Sequence, residues 1–197
     1  MSSEVIVRSL TVALLITFAV AIGLSKLNLL PSDQYLSARG GNLESIMKSC
    51  APRVAKETMS ALIGVESAWR PFAIHINAKG ITLSRQPQTK EEAVNTARML
   101  LSRGYNIDMG YAQINSSQLQ RLNIRVEDLF DTCMNLRVAE KILIDCYTRA
   151  KETYGEERKT LGAALSCYNT GNFSGGFKNG YVGKIYRSKE VWGNKGG

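Results

Sequence analysis

The sequence predicts a mainly α domain with one small β-hairpin, preceded by an apolar export segment. Three observations predict it. Apolar residues recur at helical spacing in one stretch after another, they alternate with polar residues only briefly, and they run unbroken only near the N-terminus. A chain of 197 residues with a hydrophobic fraction of 44% suffices for one domain around a single core.

The first element follows Arg8. Leu10 to Leu24, LTVALLITFAVAIGL, carries no charge and is followed by Lys26 and the loop-like LLPSDQ. The run is shorter than the ~20 residues of a membrane-spanning helix. Ala19 and Ala21 offer small residues to a signal peptidase. A buried core helix is rarely apolar on every face, so the run reads as a targeting element. Residues 1–34 are therefore assigned to a signal peptide or a retained N-terminal membrane anchor, 35–192 to the folded domain and 193–197 to a tail.

Within the domain, GGNLESIMKSC gives a short helix from Leu43, ended by Pro52. Lys56 to Ser67 places Met59, Leu62 and Ile63 at core spacing. AIHINAKGITL, residues 73–83, alternates around Ala78-Lys79-Gly80 and predicts the hairpin. In TKEEAVNTARMLLSRG, Thr89 and Glu92 suit a capping box, Val94, Ala97 and Leu101 fill one face, and Gly104 ends the helix. After a loop, residues 135–150 carry a stripe of Leu136, Ala139, Leu143, Cys146, Tyr147 and Ala150. Residues 159–168 repeat the pattern with Leu161, Ala164, Leu165 and Tyr168. The chain is Gly-rich from Gly171 to Gly183, and a last helix is expected from Tyr181 to Trp192.

Export sets the chemistry of the cysteines. Cys50, Cys133, Cys146 and Cys167 in an oxidising compartment predict two disulfides, for which three connectivities exist. Cys50 and Cys133 lie at helix boundaries while Cys146 and Cys167 fall inside helical patterns, which favours 50 with 133 and 146 with 167. No CxxC pair occurs, and the single histidine, His75, stands far from the cysteines, so no metal site is expected. The net charge is +8, and Glu4, Arg8, Lys26 and Asp33 cancel within residues 1–34, so the excess belongs to the exported domain. Outside the cytoplasm a basic domain meets membrane headgroups, nucleic acid in transit or the cell wall. The basic residues are scattered and accompany no groove-reading helix motif, which argues against nucleic acid.

One residue breaks the apolar pattern. On the face formed by Met59, Leu62 and Ile63 the next position is 66, so Glu66 points inward at the last turn of its helix. Burial raises a carboxyl pKa, and a carboxylic acid kept protonated near neutral pH can protonate the leaving oxygen of a glycosidic bond. A half-exposed glutamate at a helix end is the plainer reading of this residue taken alone. Two amide-rich stretches accompany it: NIDMGYAQIN, Asn106 to Asn115, and SCYNTGNF, Ser166 to Phe173. Both have the composition of loops that hydrogen-bond sugar hydroxyls and acetamido groups.

In this order, Glu66-Ser67, Gly110-Tyr111-Ala112-Gln113 and Tyr168-Asn169 resemble the three signature motifs of the soluble-lytic-transglycosylase family, which has a goose-type-lysozyme-like fold and cleaves peptidoglycan. The stretches CAPRVAKETMSALIGVESAW, RQPQTKEEAVNTARMLLSRGYNIDMGYAQIN, FDTCMNLRVAEKIL and ALSCYNTGNFSGGFKNGYV narrow the resemblance to the transglycosylase subunits of type IV secretion and conjugation machines. Two departures bear on groove shape: Tyr111-Ala112 stand where many relatives have Leu-Met, and Trp69 follows Ala68 where a glycine is frequent.

The resemblance implies an α+β lysozyme-like fold, a periplasmic location, peptidoglycan glycan strands as substrate and other secretion subunits as partners, with inner-membrane association if the N-terminal segment is retained. It implies no cofactor. Glu66 would be the acid that cleaves the bond between N-acetylmuramic acid and N-acetylglucosamine, leaving a 1,6-anhydro end. Ser67 and Tyr168 would orient it, and Gln113, Asn115 and Asn169 would contact sugar. Asp108 would be the second acid of a hydrolytic muramidase or a brace for its loop. A wall-binding scaffold without turnover is the remaining alternative.

Overall fold

A computed structural model describes the backbone of residues 43–193 and the side chains of 43–189. The expected export segment over 1–34, the first residues of the expected domain and the end of the tail lie outside the described residues.

Residues 43–50 form α1, which turns Leu43, Met47 and Cys50 into the core. Helix α2, Lys56–Ser67, buries its middle on every side, with Met59, Leu62 and Ile63 fully enclosed. Strand β1 is Ile74–Ile76. Helix α3, Lys90–Ser102, starts on Thr89, whose hydroxyl accepts the Glu92 N–H at 3.1 Å. The Glu92 carboxylate reaches back to the N–H of Gln88, one residue beyond the cap that a capping box would use.

Strands β2, Ile107–Met109, and β3, Ile114–Asn115, are followed by the short α4, Ser117–Leu122, and a 3-10 turn over Val126–Phe130. Helix α5, Thr132–Tyr154, opens on Asp131, whose carboxylate accepts the Met134 N–H at 2.9 Å. Helices α6, Glu157–Thr170, α7, Gly175–Lys178, and α8, Tyr181–Gly193, complete the described chain. The fold is thus mainly helical, with α5 packed along α6 and α2 against α8.

The sheet departs from the expectation. It is antiparallel in the order β1-β2-β3, with Ile74 opposite Met109 and Met109 opposite Ile114. No hairpin forms within residues 73–83; the hairpin is β2–β3, inside the stretch read as a loop. The alternation of Ile74 and Ile76 was a true strand signal, but the strand pairs with a segment distant in sequence. Its other edge is closed by a side chain. The Gln86 carboxamide accepts the Ile74 N–H at 2.8 Å and donates to the Ile74 carbonyl at 2.9 Å, the two bonds a neighbouring strand would supply.

Both disulfides anchor helices to this frame. Cys50–Cys133 ties the end of α1 to the start of α5, and Cys146–Cys167 crosslinks α5 with α6. One core cluster joins residues of α2, the sheet, α5, α6 and α8.

Candidate active site

The last turn of α2 delivers Glu66 to a cleft of about 390 Å³, whose wall also includes Asp108, Gln113, Asn115, Tyr168 and Asn169. Glu66 is there because the helix ends there. Ala68 adopts left-handed geometry (φ 50°) and returns its N–H to the Gly64 carbonyl, and Trp69 follows with φ 64°. Left-handed backbone is costly for residues with a Cβ, and the chain adopts it immediately after Glu66-Ser67.

The carboxyl of Glu66 keeps enough exposure to meet a ligand while losing most of its water. Burial is the main reason its pKa is raised, to about 7, and the negative Asp108 nearby adds to the shift. One group opposes them: the Tyr181 hydroxyl, at the first residue of α8, donates to Glu66 Oε1 at 2.5 Å and favours the ionised form. Tyr181 is itself buried, and with burial and the Glu66 charge against its ionisation it remains a neutral donor.

The expected orienting residues hold other groups. The Ser67 hydroxyl is buried and donates to the Ile63 carbonyl of its own helix at 3.1 Å. The Tyr168 hydroxyl donates to the Ala112 carbonyl at 2.8 Å, joining α6 to the β2–β3 turn. Burial, followed by the charges of Glu66 and Asp108, raises the Tyr168 pKa well above its usual value. Tyr168 therefore borders the same cleft as Glu66 but bonds to the β2–β3 turn. In sequence, Tyr181 was only the start of a helix after a Gly-rich stretch, and no local pattern distinguishes it.

The β2–β3 turn is Gly110–Gln113, of which Gln113 lines the cleft. Gly110 has φ +79°, and a Cβ on it would lie 2.3 Å from Asn135 Nδ2 and 2.5 Å from the Leu129 carbonyl oxygen. Asn135, only 1% exposed, explains the closeness. Its amide donates to the Met109 carbonyl at 3.0 Å and the Leu129 carbonyl at 2.8 Å, and its oxygen accepts the Ala112 N–H at 2.9 Å. Sequence reading missed Asn135 because it sits in the first turn of α5, where asparagine looks like capping chemistry. Gln113, at φ 48°, donates its amide to the Ala73 and Gly110 carbonyls, which fixes the turn to the residue before β1.

Around Asp108 the amides close a network. Asn115 donates to Asp108 Oδ1 at 2.7 Å and to Asn106 Oδ1 at 2.6 Å, and Asn77 donates to Asp108 Oδ2 at 3.0 Å. Asp108 thus has both oxygens engaged, as a brace would. Asn169 accepts from the Asn179 amide at 2.8 Å. The structure brings Glu66, Asp108, Gln113, Asn115, Tyr168 and Asn169 together on one cleft and leaves Ser67 out of its lining.

The arrangement offers one desolvated carboxyl that can give and take a proton, facing a wall of amides. The family described as Transglycosylase SLT domain matches residues 44–190. Type IV secretion system protein virB1 of Brucella abortus biovar 1 (strain 9-941) is 42% identical over 152 residues, covering 74% of this chain and 63% of the relative. Protein virB1 of Rhizobium radiobacter is 38% identical over 142 residues, 72% of this chain and 58% of the relative. Protein virB1 of Agrobacterium fabrum (strain C58 / ATCC 33970) is 38% identical over 155 residues, 79% of this chain and 62% of the relative. The chain thus spans less than two thirds of the length of these relatives. No solved structure gives a significant match.

Proposed function

The chain belongs to the transglycosylase SLT domain family, and from that premise we propose that it is a peptidoglycan lytic transglycosylase with Glu66 as its single acid and base. The observation that carries this reading is the Glu66 carboxyl, desolvated in an open cleft with a pKa near 7. Protonated Glu66 gives its proton to the glycosidic oxygen between N-acetylmuramic acid and N-acetylglucosamine as the C1–O bond breaks. The positive charge developing at C1 is met by the substrate's own acetamido oxygen. The Glu66 carboxylate then removes the proton of the muramoyl C6 hydroxyl, whose oxygen bonds to C1 and closes the 1,6-anhydro ring. No water is consumed.

A pKa near neutrality serves both halves, since the same group must be an acid first and a base second. The Tyr181 hydroxyl supports the second half by stabilising the carboxylate left after proton transfer. A two-carboxylate mechanism would require a second free carboxylate, and the oxygens of Asp108 already accept from Asn77 and Asn115. This argues against a hydrolysis that relies on Asp108 as a second carboxylate. Gln113, Asn115 and Asn169 are the amides proposed to contact the sugars.

The names of the relatives support a role in type IV secretion. The proposal is that the domain works in the periplasm, brought there by the apolar segment within residues 1–34, and opens the wall locally for a secretion or conjugation apparatus. Among the described residues no helix is long and apolar enough to cross a membrane. The test is product analysis by mass spectrometry after digestion of purified peptidoglycan. Anhydromuramoyl ends are expected; reducing muramoyl ends would mean a hydrolase, and no soluble fragments would mean a binding protein.

A further inference from the structure

Helix α6 borders two concavities. Its last turn lines the Glu66 cleft, and its first half lines a separate groove of about 620 Å³ that shares no lining residue with the cleft. Four aromatic rings line this groove: Tyr154 at the end of α5, Phe173 after α6, Phe177 in α7 and Tyr186 in α8. Gly162 and Ala163 let the rings lie close to α6; a Cβ on Gly162 would stand 2.9 Å from Phe177 Cζ. Tyr154 and Phe173 meet edge to face with centroids 6.0 Å apart. Yet Tyr154 is 43% and Phe177 52% exposed, more than any other large apolar side chain among the described residues. Rings left in water forgo the gain of burying them, which marks the groove as a surface to be covered.

Charge at the rim narrows what covers it. Arg158 and Lys178 are exposed there and no carboxylate pairs with either among the described residues, whereas Lys159 is held by Glu156 at 2.8 Å. Sugars are a poor match, because no asparagine or glutamine lines the groove and the Tyr186 hydroxyl already donates to the Arg158 carbonyl at 3.2 Å. A membrane surface takes side chains that project outward, and these rings line a hollow. A second copy of the chain would bring like charge, since the net charge is +8. An apolar side chain flanked by carboxylates matches both the rings and the rim.

We propose that the groove docks a segment of a partner protein in which an aromatic or aliphatic side chain stands between aspartates or glutamates. That side chain enters among the rings, and the flanking carboxylates pair with Arg158 and Lys178. The inference goes beyond the proposed function: it asks nothing of Glu66 and uses no residue of the cleft.

Selection from a random peptide library displayed on phage tests it. The full chain is the bait, with Phe177→Ser and the double variant Arg158→Glu with Lys178→Glu as counter-baits. Thermal melts check that each variant keeps its fold, as expected for exposed side chains; should one unfold, the other carries the comparison. Wild type should enrich peptides with an aromatic or aliphatic residue among acidic ones. Synthetic copies should bind Phe177→Ser about thirtyfold more weakly, the loss of a central anchor. They should bind the charge-reversed variant at least about tenfold more weakly, lose affinity as salt rises, and bind Glu66→Gln as tightly as wild type. No enrichment, enrichment without acidic residues, or binding that survives Phe177→Ser or the charge reversal overturns the docking site. Self-association, or binding of phosphatidylglycerol vesicles or of a peptidoglycan tetrasaccharide, that Phe177→Ser abolishes overturns it as well, since the groove would then belong to a second copy, a membrane or glycan. Each of these results leaves the proposed function standing.

Discussion

Glu66 carries a cost as well as a function, and pH separates the two. Its pKa is about 7 in the folded chain against 4.5 for an ordinary glutamate. Below pH 4.5 both states hold the proton and the site costs nothing. Between about 4.5 and 7 the unfolded chain ionises first, so native stability falls, by at most about 3 kcal/mol, and then levels off. Thermal melts of wild type and Glu66→Gln should therefore diverge in favour of the variant as pH rises through that window and run parallel above it. Wall-clearing activity should fall as pH rises through about 7, where the acid loses its proton. Tyr181→Phe removes the donor that favours the carboxylate, so it should move this basic limb to higher pH and lower kcat without unfolding the protein. An unchanged pH profile in Tyr181→Phe would separate Tyr181 from the chemistry.

Two local elements hold the cleft open, and each makes a prediction. The turn Gly110–Gln113 depends on Asn135, which satisfies three backbone groups at once. Asn135→Ala strands them, at about 1–3 kcal/mol for each buried group left unpaired, and Gly110→Ala drives a Cβ into Asn135. Denaturant unfolding should show a loss of at least ~3 kcal/mol for Asn135→Ala. The end of α2 is strained at Ala68, so Ala68→Gly should be neutral or stabilising by up to ~1 kcal/mol, since relief of left-handed strain outweighs the added freedom of the unfolded chain. What the sequence could reveal of these elements follows the same division. The helices were readable because their apolar residues recur at helical spacing, even where, as in α2, the middle is buried on every side, and Glu66 because it continues the line of Met59 and Ile63. The partner of β1 was not readable, because the Gln86 side chain takes the edge that a hairpin strand would have filled. Asn135 and Tyr181 act across 23 and 115 residues of sequence, distances at which no local pattern reports.

Across the whole molecule, the two disulfides tie the helical frame that supports the site. Cys50–Cys133 spans 83 residues and Cys146–Cys167 spans 21, for which the chain-entropy account gives about 4.5 and about 3.3 kcal/mol. Cys50→Ser with Cys133→Ser should therefore lower stability the more, and unfolded wild-type protein should show no thiol to a titrating reagent. The pairing followed helix position, since a cysteine at a helix boundary and one inside a helix face different neighbours. The frame has its purpose in one carboxyl, and the most direct measurement concerns that group. Glu66→Gln preserves shape and still accepts from Tyr181, but it has no proton to give, and a positioned general acid is worth about 10²- to 10⁴-fold in rate. Wall clearing and thermal unfolding measured together, in one buffer near pH 7, should show activity reduced by that factor and a melting temperature equal to or above that of wild type. Near-normal turnover in Glu66→Gln, or activity lost only along with the fold, would contradict the assignment of Glu66 as the acid.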